Sequence, residues 1–320
     1  MVGAAIRSIA PHVRPGNLII VESTCPPRTL IDRVAPILIS YGFEPGVDVH
    51  VAYCPERVLP GNILTELVEN DRLAGGLTSV CAQQAADFLK TYVKGDVVEC
   101  DSVTAETVKL VENSYRDLNI AFANQLSMCA EQLGIRASEV IALANRHPRV
   151  NVMAPGPGVG GHCISVDPWF LIHAVPNGFT LLETAREVNR AKERFVVDHV
   201  VTMAQDHRCN NVVLLGLTYK PNSDDLRESP ALAIARELNA LNQFGVVAVD
   251  PFVEPQRVPD LRIEPLEHLM ELDRDTTLVV RLVPHACFDH VEPRSVACAW
   301  FDSLDDWHPM NTQAQIACTS

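Results

Sequence analysis

The segment 104–133 constrains the fold more than any other, because it runs thirty residues without a glycine or a proline. Apolar residues recur in it at helical spacing: Val108, Val111, Tyr115, Leu118 and Ala121 share one face, and Ala105 extends it. The pattern predicts one helix of roughly 45 Å at a rise of about 1.5 Å per residue. Gly134 marks its end. A helix of that length in a globular protein connects domains or forms a dimer interface. The rest of the chain therefore has to be organised on either side of it.

Before the long helix, short apolar runs alternate with helical stretches. Leu18-Ile19-Ile20-Val21-Glu22, Val49-His50-Val51-Ala52-Tyr53 and Leu73-Ala74-Gly75-Gly76 read as buried strands. Helices are expected over 3–12, 29–41 and 81–92. After the long helix come helices at 138–145, with Ser138 as N-cap, and at 181–205. A second α/β section follows, with strands at 211–216, 245–250 and 277–280 and a helix at 230–241. Asp250 closes the second of these strands, the layout of a nucleotide-binding fold. The alternation predicts a mostly parallel sheet in each section. Neither α/β section carries a G-x-G-x-x-G turn between a strand and a helix.

Composition narrows the function classes. The 320 residues carry a net charge of −14, which disfavours nonspecific binding to a nucleic-acid backbone. None of the ten cysteines forms a C-x-x-C pair, so neither a zinc ribbon nor a redox pair is indicated. Their scatter through apolar segments suits a reduced, cytoplasmic protein. No apolar run approaches the roughly 20 residues that span a bilayer, so no membrane partner is expected.

The chemistry concentrates in Gly156-Pro157-Gly158-Val159-Gly160-Gly161-His162-Cys163-Ile164-Ser165-Val166-Asp167-Pro168. Glycines just before a thiol let backbone pass close to a bound molecule, and a carboxylate follows four residues later. A thiol on such a bend suits covalent catalysis on a carbonyl. A buried cysteine in a tight turn is the competing reading.

Several motifs occur in one order: Glu22-Ser23-Thr24-Cys25-Pro26-Pro27, Cys54-Pro55-Glu56-Arg57-Val58-Leu59-Pro60-Gly61, Lys109 with Asn113, Gly160-Gly161-His162-Cys163, and Lys220-Pro221 through Asp225-Leu226-Arg227-Glu228-Ser229-Pro230. In this the chain resembles the UDP-glucose/GDP-mannose dehydrogenase family, to about residue 305. Within it, Asn145-Arg146-His147-Pro148-Arg149-Val150-Asn151 and the Pro-Glu-Arg-Val-Leu-Pro-Gly run most resemble the branch acting on UDP-N-acetyl-D-mannosamine. The resemblance implies two successive NAD-dependent oxidations of the sugar C6 alcohol, through aldehyde and thioester, to a carboxylate. It implies Cys163 as nucleophile, Lys109 as oxyanion stabiliser, Asn113 beside it on the helix face, and Asp167 and Glu56 as carboxylates that order water or accept protons. Arg57, Val58, Arg116, His147, Arg149, Gly160, Tyr219 and Lys220 would surround the sugar nucleotide. Thr24 and Arg227 resemble cofactor contacts, while Asp224 and Asp225 orient their loop. A homodimer is expected through the long helix.

The implied fold class is α/β: a truncated Rossmann-like N-terminal domain over 1–100, a central long-helix domain over 101–207 carrying the cysteine, and a C-terminal Rossmann-like UDP-sugar-binding domain over 208–320. The family pattern opens with a complete dinucleotide-binding domain. Its glycine turn and ribose-binding acid have no counterpart here, so about a hundred residues of that pattern are expected to be lacking. A remnant that binds a UDP-sugar without turnover is the alternative. A second departure is Trp300-Phe301-Asp302-Ser303-Leu304-Asp305-Asp306-Trp307, where a lysine-glycine pair and an arginine are expected.

Overall fold

The computed structural model describes residues 1–58, 62–271, 273–291 and 297–303. Leu59-Pro60-Gly61 of the second motif and residues 304–307 lie outside the described residues. Two compact units emerge. One comprises Met1–Tyr115 with Val166–Thr180; the other comprises Arg116–Ser165 and the chain from Leu181 on. The expected boundaries at 100 and 207 do not coincide with these units, because the middle section is divided between them rather than compact by itself.

In the first unit, helix α1 (Val2–Ile9) precedes strand β1 (Leu18–Val21), helix α2 (Ala35–Ser40), strand β2 (His50–Tyr53), helix α3 (Ile63–Glu69), strand β3 (Arg72–Gly76), helix α4 (Ser79–Leu89) and strand β4 (Val97–Asp101). The strands form one sheet in the order β1-β2-β3-β4. β1 and β2 run parallel, as do β3 and β4, and β2 pairs antiparallel with β3. Helix α3 and strand β4 escape a reading by apolar runs: α3 buries no residue, and β4 alternates acids with valine and cysteine.

The helix expected over 29–41 is interrupted. Residues Leu30–Val34 wind as a π-turn before α2 begins. Pro36 has no amide to continue an α-helical ladder, and the wider turn absorbs that loss. Leu30, Val34 and Leu38 still point inward and are fully buried with Val49, Val51 and Tyr53. Each such side chain contributes about 1.5–3 kcal/mol by leaving water.

The long helix α5 spans Ser102–Leu133. It ends as expected: Gly134 takes φ +66°, and the Ile135 amide donates to the Ala130 carbonyl, closing a Schellman turn. Its buried face is only partly the predicted one: Ala105 and Ala121 are buried and Val108 and Leu118 half-buried. Val111 and Tyr115 are exposed, at 47% and 67%, whereas Glu106, Leu110, Ser114, Asp117 and Asn124 are buried. The buried stripe mixes these polar residues with alanines and Leu110, so an apolar count finds only part of it.

Helix α6 (Ala137–Ala144) starts at Arg136 rather than at Ser138, and no side chain caps it. Helix α7 (Asp167–Ala174) belongs to the first unit. Helix α8 (Thr180–Asp206) continues in the second unit from Leu181.

Strands β5 (Asn211–Leu215), β6 (Gly245–Val249), β7 (Thr277–Arg281) and β8 (Ala299–Asp302), with helix α9 (Pro230–Ala240), complete the second unit. Their order is β6-β5-β7-β8, all parallel. The chain reverses winding between β5 and β7, so the crevice at the carboxyl ends of these strands is the place where such sheets bind ligands. The α9 start is capped by Ser229, whose hydroxyl accepts from the Leu232 amide. No described helix is long and apolar enough to cross a membrane.

Candidate active site

In the first unit the candidate carboxylates gather at the carboxyl ends of β1 and β2. Glu56 follows β2, and its carboxylate accepts the amides of Arg57 (2.7 Å) and Val58 (3.0 Å). Arg72 Nη1 donates to both Glu56 oxygens at 3.3 and 3.2 Å. Its Nη2 lies 3.5 Å from Glu22, and the arginine is only 1% exposed. A buried guanidinium thus binds two half-exposed carboxylates at a strand end. Arg72 was missed because it opens a run that reads as an ordinary strand. Arg57 is turned to α5, with Nη2 2.9 Å from Glu112, and donates to the Asp71 carbonyl. Val58 is half-buried.

Asp167 is the first residue of α7 and is 3% exposed. The Asn113 amide donates to its Oδ2 at 2.6 Å. Its place in the first turn also sets the negative charge against the positive end of the helix dipole. Lys109 lies one turn before Asn113 on α5, half-buried like it. Another turn earlier, buried Glu106 accepts the amides of Arg28 (2.6 Å) and Leu30 (2.9 Å). Burial pushes the Glu106 carboxyl above its ordinary range, and those amide bonds only partly offset the rise.

Glu106 bears on cofactor binding. The helix after β1 begins at these amides, so its N-terminus is already filled by a carboxylate and offers no cradle for a pyrophosphate. Thr24 stands half-buried past the end of β1, beside a cavity of about 700 Å³ whose lining includes Arg7, Arg33 and Phe170. The arginines that line it fit contact with part of an anionic dinucleotide.

In the second unit, half-buried Cys163 ends the glycine-rich loop. A Cβ added at Gly160 would meet the Glu228 carbonyl at 2.5 Å, and one at Gly161 would meet the Tyr219 ring at 2.9 Å. The Gly161 amide donates to the Arg227 carbonyl at 3.0 Å. The glycines therefore serve close packing of loop on loop, where the sequence suggested room for a ligand. The thiol loop is built onto the 219–230 segment.

That segment leaves the carboxyl end of β5 at the reversal point. The Tyr219 amide donates to the Asp225 carbonyl, and Lys220 Nζ lies 5.8 Å from the Tyr219 ring centroid. Arg227 is locked by a bidentate bond to Asp225, at 2.9 Å from Nε and 2.6 Å from Nη2. The Arg227 bond holds the Asp225 carboxyl down to about 2. Asp224 pairs with Arg257 at 3.3 Å.

Asp250 closes β6 as expected, but its carboxylate faces inward. It accepts the Leu217 amide at 2.7 Å and the Phe252 amide at 2.9 Å, and lies 3.2 Å from buried His285. Burial pushes this carboxyl up; the His285 and amide bonds outweigh it and leave it below its ordinary value. His285 Nδ1 accepts the Asn222 amide at 2.9 Å. Asp250 and His285 thus hold both flanks of the Tyr219–Lys220 turn. His285 follows a strand with no motif around it, so nothing in the sequence signals it.

Arg116, His147 and Arg149 are exposed in the second unit. The Arg149 amide donates to His147 Nδ1 at 3.3 Å, and Asn145 closes the loop by bonding both the amide and the carbonyl of Val152. The structure thus assigns Thr24, Glu56, Arg57, Val58, Lys109, Asn113 and Asp167 to the first unit. Arg116, His147, Arg149, Gly160, Cys163, Tyr219, Lys220 and Arg227 fall in the second.

Three domains of one family match consecutive stretches: an NAD binding domain at 1–93, a central domain at 103–191 and a UDP binding domain at 213–302. The chain belongs to the UDP-glucose/GDP-mannose dehydrogenase family. It is 43% identical over 302 residues to the UDP-N-acetyl-D-mannosamine dehydrogenase of Campylobacter jejuni, covering 91% of this chain and 74% of that protein. It is 43% identical to the NDP-N-acetyl-D-galactosaminuronic acid dehydrogenase of Ralstonia solanacearum, covering 89% and 69%. Among solved structures, the UDP-D-ManNAc dehydrogenase of Pyrococcus horikoshii superposes with a TM-score of 0.85 at 35% identity, over 95% of this chain and 72% of that one. In this chain the stretch matched to the NAD binding domain, 1–93, contains no G-x-G-x-x-G turn.

Proposed function

We propose that this member of the family is a nucleotide-sugar 6-dehydrogenase that converts UDP-N-acetyl-D-mannosamine to UDP-N-acetyl-D-mannosaminuronate. One observation supports it most: Gly160 and Gly161 pack on Tyr219, and Gly161 bonds the Arg227 carbonyl, so the thiol loop and the turn at the nucleotide-binding end of the β5 sheet are one structure. A sugar held by its UDP there presents its far end to Cys163.

The residues divide the work. NAD, when bound, takes up the hydride lost in each oxidation. Asp167, or Glu56 through water, accepts the hydroxyl proton at the first. The Cys163 thiolate then adds to the aldehyde carbon, and the carbonyl oxygen becomes an oxyanion that Lys109 and Asn113 stabilise. Oxidation of this thiohemiacetal yields a thioester. Water ordered by Asp167 attacks it, and the carboxylate leaves as the thiol is released. Asp167 stands four positions after Cys163 in the chain. Tyr219, Lys220, Arg57, Arg116, His147, Arg149 and Val58 are proposed to bind the sugar nucleotide, and Thr24 and Arg227 the cofactor.

Purified protein given NAD and UDP-N-acetyl-D-mannosamine should form two NADH per uronate. A second reading is a UDP-sugar binder without turnover. Calorimetric binding of UDP with no NADH formed would establish it. A homodimer is proposed through the exposed Val111, Tyr115 and Phe122 of α5; Tyr115→Glu should shift the sedimentation coefficient to that of a monomer.

A further inference from the structure

Four polar side chains are buried between α5 and α8 in the second unit: Asp117, Arg186, Asn189 and Asn124, at 0%, 5%, 0% and 0% exposure. They bond in sequence. Arg186 Nη1 donates to Asp117 Oδ1 at 2.6 Å, and Asn189 Nδ2 donates to the same oxygen at 2.8 Å. Asn124 Nδ2 donates to Asn189 Oδ1 at 2.9 Å. Asn124 Oδ1 then accepts the backbone amide of Gly156 at 2.8 Å. Gly156 opens the loop that ends in Cys163.

The polarity of this chain is dictated from one end. An ionised carboxylate only accepts, so Asn189 must turn its nitrogen toward Asp117. Its oxygen is then left for Asn124, whose nitrogen must face it. Asn124 is thereby obliged to present an oxygen to the loop, the one atom able to receive an amide hydrogen. Were either amide reversed, a donor would face a donor inside the core, at a cost of about 1–3 kcal/mol.

We infer that Asn124, oriented by Asp117 through Asn189, is a positioning residue that fixes where the thiol loop starts. The loop is then held at both ends: by Asn124 at Gly156 and by the Arg227 carbonyl at Gly161. A separate branch bonds the Asn124 backbone instead of its side chain. Lys192 Nζ donates to Ser127 Oγ, which donates to the Asn124 carbonyl. The inference rests on Cys163 being the nucleophile, yet its test reads the loop itself.

The Gly156 amide in the unaltered protein should be protected from hydrogen exchange as strongly as the helices beside it; exchange at the rate of an open loop overturns the inference. Asn124→Leu keeps the branched shape and removes the acceptor, and Asn189→Ser frees the Asn124 amide to rotate. Both should speed iodoacetamide alkylation of Cys163, followed peptide by peptide, and lower kcat about tenfold with KM and UDP affinity unchanged, the signature of a misplaced reacting group. Ser127→Ala should leave the alkylation rate alone. Folded Asn124→Leu or Asn189→Ser protein alkylating at the unaltered rate overturns it, as does an equal acceleration in Ser127→Ala. Should Asn124→Leu fail to fold, Asn189→Ser and the exchange measurement decide. If Cys163→Ser instead leaves uronate formation intact, the nucleophile reading fails while the loop measurement stands.

Discussion

The two α/β sections are built from the same alternation of short strands and helices, yet their strand ends are equipped in opposite ways. In the first, buried cations and helix amides are used up on carboxylates: Arg72 on Glu56 and Glu22, and the amides of Arg28 and Leu30 on Glu106. In the second, the strand-end carboxylate Asp250 and its neighbour His285 are used up on backbone, holding the Tyr219–Lys220 turn in place. The first therefore concentrates half-exposed carboxylates, the groups proposed above to accept protons. The second fixes a loop at the carboxyl end of its sheet and packs the thiol loop against it. Fold pattern alone does not distinguish these tasks; what fills the strand ends does.

Cys163→Ser offers the largest effect on this contrast. Uronate formation should fall by a factor on the order of 10⁴ or more, while UDP affinity measured by calorimetry stays the same. A parallel loss of UDP binding would mean that thiol and nucleotide loop are not separable tasks.

Asp167→Asn should come next. Its partner Asn113 can still find an acceptor, so the fold is kept while proton transfer is lost; kcat should drop by about 10²–10⁴ with little change in UDP binding. The converse result, weak UDP binding and normal kcat, would move Asp167 to the substrate side of the comparison.

Asp250→Asn should act in the opposite sense. Removing a charge from a buried hydrogen-bonded pair leaves the Leu217 amide and His285 poorly matched, at a cost of about 1–3 kcal/mol. Thermal unfolding should show that loss, and UDP affinity should fall while Cys163 alkylation persists.

The smallest effect is one of pH, and its sign differs between the sections. The folded-state value of Asp250 is lowered, so its contribution to stability is present above the ordinary carboxylate range and is lost as pH falls below it. The folded-state value of Glu106 is raised, so its contribution is present at low pH and is lost as pH rises through that raised value. Denaturant unfolding of Asp250→Asn and Glu106→Gln across the acid range should give difference curves of opposite slope. Curves of like slope would remove the electrostatic distinction between the sections.

How much of this was legible beforehand depends on the kind of residue. The strands of the second section read clearly because they are apolar on both faces, and Gly134 marked the end of α5 because only a residue free to adopt φ +66° closes that turn easily. The catalytic candidates stood out through short motifs. The π-turn at Leu30–Val34, the antiparallel pairing of β2 with β3, and helix α3 did not, because each depends on partners distant in sequence or on a locally unremarkable run.

Local order of residues was therefore enough to determine the alternation of elements, the long helix, the thiol with its glycines, and the family. Tertiary structure alone decided which face of α5 is buried, that the glycines serve packing against Tyr219, that Arg72 and Glu106 bond the strand and helix ends of the first unit, and that Asn124 and His285 hold loops of the second. The physical reason is the same in each case. Periodicity reports apolar burial, whereas a buried polar group is stable only with a bonded partner, and that partner is supplied by another part of the chain.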